Sequence, residues 1–142
     1  TLHEQRVVDK THFAHAFARA LDTLAPEHRG GMIEHVLANM RDHLSAIGEI
    51  QAALAKAKYN QAADIAEQRI GMSSLQSHGA SHMAPYMPKA MQDIGTNMHR
   101  AASRFARTAQ EVAVSNDLPR ALGALGELTQ QCVACHASFK LK

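Results

Sequence analysis

The chain has 142 residues, 46% of them apolar but only 4% aromatic, with no tryptophan and a net charge of +2 with histidine neutral. That length suits one domain that buries a core without disulfides. So small a charge gives no ground for nucleic acid or an anionic membrane surface as a partner. No run of about 18 apolar residues is present to span a bilayer.

Taken in order, residues 1–28 read as an amphipathic preface. Val7, Val8, Phe13, Phe17, Leu21 and Leu24 recur at three- and four-residue intervals, the spacing of a helix. Pro26 then interrupts and Gly30-Gly31 separates, which divides the chain into an N-terminal helical extension, 1–30, and a main domain, 31–142. His12 and His15 would share a helix face, with His3 and Glu4 further back. Such a pair could hold a metal, although histidines spaced this way are ordinarily just solvated.

From Gly31 the spacing predicts a long helix. Ile33, Leu37, Met40, Leu44, Ile47, Gln51 and Leu54 form its seam, widened by Val36 and Ile50. Lys56–Asn60 connect it to a shorter helix over 61–71 that buries Ala62, Ile65 and Met72. Residues 73–84 are rich in serine and glycine and read as the longest loop. Pro85 and Pro88 suit the first turn of the next helix. Its seam is Met87, Met91, Ile94, Met98, Ala101, Phe105 and Val112, and it ends near Ser115. Asn116 or Asp117 caps the last helix, with Pro119 in its first turn. That helix carries Leu118, Leu122, Leu125, Thr129, Cys132, His136 and Phe139 inward. Four such helices on short connections predict an all-α fold, an antiparallel four-helix bundle with an extra N-terminal helical segment.

The final helix holds the most informative stretch, Cys132-Val133-Ala134-Cys135-His136, a Cys-x-x-Cys-His run of the kind that attaches a c-type haem. Two thiols one turn apart can form thioethers with the two porphyrin vinyl groups, and the adjacent imidazole can ligate the iron. The other readings are a redox dithiol or half of a zinc site. Zinc calls for a second Cys or His pair at regular spacing, and the chain has only two cysteines. A thioredoxin-like dithiol belongs on a βαβ pattern, and no strand alternates with helix here. Gly123 and Gly126, unfavourable inside a helix, fit a bulky group approaching the backbone. The expected cofactor is one covalently attached haem c. Covalent haem attachment in bacteria takes place outside the cytoplasm, and the chain starts at Thr1 without a charged-then-apolar leader. Both features point to a mature periplasmic protein.

A Cys-x-x-Cys-His on the last of four helices, closed by Phe139-Lys140, resembles the class II c-type cytochromes, the cytochromes c′ and their low-spin relatives. The stretch Ala55-Lys56-Ala57-Lys58-Tyr59-Asn60-Gln61-Ala62-Ala63 is similar to that family's connection between its first two helices, shortened and without its glycine. The resemblance covers residues 31–142. It implies that a residue of the first long helix faces the sixth iron position. In the low-spin members that residue is a methionine, and counting back from Tyr59 puts it on or beside Met40. His43 and His35 are competing ligands, and Met40 as simple core filler would leave the site open.

A thioether there raises the potential, a second imidazole lowers it, and a vacant apolar pocket admits NO or CO. The expected function is electron transfer with redox partner proteins, His136 proximal and Met40 distal. The alternatives are a five-coordinate gas-binding cytochrome c′, or a copper-handling or sensing protein that also carries haem, with His78, His82, Met83 and Met87 around the long loop. No nucleophile–base–acid grouping suggests an enzyme. A homodimer through the first two helices is what the resemblance implies.

Overall fold

In the computed structural model, which describes residues 26–139, every regular element is helical. Residues 1–25 of the predicted extension, with His12 and His15, lie outside the described residues, as does Lys140. Five α-helices are present among the described residues: α1 (Pro26–Leu54), α2 (Tyr59–Arg69), α3 (Ala80–Met83), α4 (Lys89–Ser115) and α5 (Leu118–Ser138). None is long and apolar enough to cross a membrane. Short 3-10 turns at Met72–Ser74 and Ala84–Tyr86 interrupt the segment between α2 and α4.

Alanine sets the packing. Ala46 and Ala53 of α1, Ala62, Ala63 and Ala66 of α2, and Ala102, Ala106 and Ala109 of α4 are all buried. Side chains this small let helix axes approach closely, and Ile50, Phe105, Val112 and Leu128 fill the spaces between them. Phe105 is fully buried. Phe105→Ala is expected to lower unfolding free energy by about 3–5 kcal/mol, read from urea denaturation.

Packing runs α1 on α2, α2 on α4 and α4 on α5, with no extended packing between α1 and α5. α1 and α2 form an antiparallel hairpin, in which Arg69 at the end of α2 reaches back to Asp42 (2.5 Å) and Glu49 (2.7 Å) on α1. A two-residue connection joins α4 to α5. Asn116 takes the left-handed conformation there (φ 55°), and the Asp117 carboxylate caps α5 by accepting from the Arg120 backbone N–H at 3.1 Å.

Several predicted details change. α1 includes Pro26 and runs through Gly30-Gly31 without a break. The predicted loop over 73–84 is partly helical, because Gly79 at φ +64° turns the chain into α3. The α4 seam stands from Met98 to Val112, joined by the buried alanines. The α1 seam stands in part: Val36, Ile50 and Leu54 are buried, but α2 packs on Ala46 and Ala53 as well, leaving Leu37 36% and Leu44 74% exposed. α5 likewise buries Ala121, Leu125 and Leu128, while Leu122, Thr129 and His136 are exposed. In both helices alanines share the buried face with large residues, Ile50 and Leu54 on α1 and Leu125 and Leu128 on α5.

The α1–α2 connection puts Ala57 at φ 53°. A Cβ clashes there, so Ala57→Gly is expected to raise unfolding free energy by about 0.5–1 kcal/mol, read as a higher urea midpoint.

Candidate functional site

Cys132 and Cys135 sit in the last turns of α5, both half-buried and both free thiols. Cys132 packs on the edge of the main core, and its Sγ points back at the Leu128 carbonyl (3.9 Å). Burial pushes both thiols above their ordinary range, and the neighbouring Cys132 adds to the effect at Cys135. The negative end of the helix dipole also disfavours a thiolate here. A redox dithiol works through a thiolate of lowered pKa, usually at a helix N-terminus or beside a cation. This pair is set the opposite way.

His136 is exposed, on a stripe that runs Leu122, Gly126, Thr129, Val133, His136 at helical spacing. A Cβ at Gly123 or Gly126 would meet nothing within 4 Å. Among the described residues α1 carries a partly covered stripe, in which Ile33 and Met40 pack on a satellite cluster and Ile47 on the main core while Leu37 and Leu44 are exposed. The two stripes lie on the two helices that lack mutual packing. On α5 the exposed apolar residues along this stripe are Leu122 and Val133, the latter between the two thiols in sequence.

The three candidates for the sixth position are placed differently. Met40 is half-buried in a satellite cluster built on Met32, Val36 and Met83, with Tyr86, Met87 and Met91 around it. Cys132 belongs to the main core instead. His35 donates through Nε2 to the His78 carbonyl at 2.8 Å, so its ring is engaged. His43 is 6% exposed, and neither ring nitrogen has a hydrogen-bond partner. Of the residues read as copper ligands, Met83 is buried in the satellite core, His82 is exposed and His78 joins a different group.

That group is a cluster of three histidines from three segments: His43 of α1, His78 of the connecting segment and His99 of α4. Ring centres are 4.7 Å apart for His43–His78, 5.5 Å for His78–His99 and 6.1 Å for His43–His99. Burial, reinforced by the other two imidazoles, pushes His43 down to about 4. Burial lowers His78 and His99 as well, against the raising effect of the Arg69, Ile70 and Gly71 carbonyls. The Arg69 hydrogen bond holds the nearby Asp42 carboxyl below its usual range. Sequence reasoning gave His99 no role; its place beside Met98 on the α4 seam was the available signal.

A shallow groove of about 480 Å³ between α2 and α4, lined by Glu67, Met72, Ser103 and Arg107 among others, contains none of these residues. Comparison of the chain with protein-family models, with curated proteins and with solved structures finds no match.

Proposed function

We propose that the chain carries one haem c, bound through thioethers to Cys132 and Cys135 with His136 as proximal ligand, and that it is a periplasmic electron carrier. The observation that supports this most is the Cys-x-x-Cys-His run on α5, with two free, half-buried thiols and the exposed Val133 and His136 beside them. Bound haem supplies one-electron iron chemistry and a potential tuned by its axial ligands. The chain's part is to fix the porphyrin covalently, orient the His136 imidazole and exclude water with the α1 stripe. An exposed edge beside Val133 and His136 would give a redox partner protein access.

Met40 is the favoured distal ligand, since counting back from Tyr59 puts the low-spin relatives' methionine on or beside it and it stands on α1, the first long helix. The test is the ferric and ferrous optical spectrum, repeated for Met40→Ala. A low-spin spectrum with the long-wavelength methionine-to-iron band, lost in the variant, is expected. A low-spin spectrum that Met40→Ala leaves unchanged would move the ligand to His43 or His35.

One observation favours a second reading. Met40 packs in the methionine cluster rather than with Cys132, which suits a five-coordinate iron open to NO or CO. Rapid carbon monoxide binding to the reduced protein, with a high-spin ferric spectrum, would select it.

A further inference from the structure

We propose that His43, His78 and His99 form a buried site for one divalent transition-metal ion, separate from the haem motif. His43 carries the case. An imidazole that is 6% exposed with both nitrogens unpartnered leaves polar atoms out of water at a cost of about 1–3 kcal/mol, unless a ligand takes the lone pair.

The spacing of the three rings matches an ion. The circle through their centres has a radius of about 3.2 Å, and an ion about 2.1 Å from an imidazole nitrogen lies about 3.2 Å from that ring's centre. As the rings stand, no three His, Cys, Asp or Glu side chains among the described residues converge on one ion-sized position. His43 makes no hydrogen bond, so closure asks for rotation of that ring about Cβ–Cγ, with His78 and His99 kept in place by their Nδ1 bonds.

The hydrogen bonds select the nitrogens. His99 donates from Nδ1 to the Ile70 carbonyl at 2.5 Å, leaving Nε2 with its lone pair. Ser74 gives its hydroxyl proton to the Gly71 carbonyl (2.7 Å), so toward His78 it accepts, and Nδ1 of His78 is the donor at 3.3 Å. Nε2 of His78 is thereby the basic nitrogen too. This is the second-shell pattern that orients metal-bound histidines. The His78 backbone is fixed in turn: its carbonyl accepts from His35 Nε2 at 2.8 Å and Asn39 Nδ2 at 3.2 Å. The depressed imidazole pKa values keep all three rings neutral at pH 7, the form that ligates. An all-imidazole set suits zinc, copper or nickel and not magnesium or calcium. This proposal assigns His43 to the trio, and a spectrum that placed it on the haem iron would overturn it.

The test is titration of chelator-treated, full-length haem protein with zinc sulfate and, separately, copper sulfate, read by calorimetry and by thermal unfolding. One equivalent of at least one ion should bind and raise Tm. His78→Ala and His43→Leu should each weaken that binding at least tenfold. His43→Leu should also raise Tm before any metal is added, by removing the unpartnered polar group. His82→Ala should leave binding unchanged. Absence of saturable binding, or binding that survives both His78→Ala and His43→Leu, would overturn the proposal. So would loss of binding in His82→Ala alone, which would move the ion to the exposed loop. The intact mass of the same sample reports covalent haem independently.

Discussion

Between pH 6.5 and pH 4, in the presence of a chelator, the fold is expected to lose about 3 kcal/mol of stability through His43 alone. Its folded pKa lies near 4, whereas an unfolded histidine titrates near its model value of 6.5. In that window the unfolded chain binds a proton that the folded chain does not. Stability therefore rises with pH across the window, is fully present above about 6.5, and stops falling for this group below about 4. His78 and His99 are lowered in the same direction and steepen the loss. Urea midpoints at pH 7, 5.5 and 4 read the slope. His43→Leu should flatten it markedly, and an equal slope in the variant would show that His43 is not the group responsible.

Replacing Cys132 and Cys135 together by serine is expected to abolish covalent haem completely, while either single variant retains one thioether and a lower yield. Serine hydroxyls do not form the thioether, so the loss is of attachment itself and not of affinity. His136→Ala should keep the haem attached through both sulfurs but change the ferric and ferrous spectra, because the proximal imidazole is gone. Intact mass and optical spectra separate the two outcomes. Covalent haem at wild-type yield in the double serine variant would sink the thioether reading.

The all-helical fold was legible because apolar spacing at three and four residues persists through α1, α4 and α5, and because Asp117, Pro119 and Ser115 mark real helix ends. The choice of face was not. On α1 and α5 part of the expected seam is buried, Val36, Ile50, Leu54 and Leu125, but the packed face is turned toward Ala46, Ala53 and Ala121, where helices approach closely. Leu37 and Leu44 on α1 and Leu122 and Val133 on α5 were left exposed. The Cys-x-x-Cys-His run was readable from local spacing alone, since both thiols and the imidazole share two turns of one helix. The histidine cluster was not readable, because it joins residues from α1, the 70–88 segment and α4, and only tertiary packing brings them together.

The most direct test of the central reading is the intact mass, under denaturing conditions, of the protein produced alongside c-type haem maturation enzymes. The expected result is a polypeptide heavier by one haem, with Cys132 and Cys135 resistant to alkylation. A bare polypeptide mass with two alkylatable thiols would contradict it.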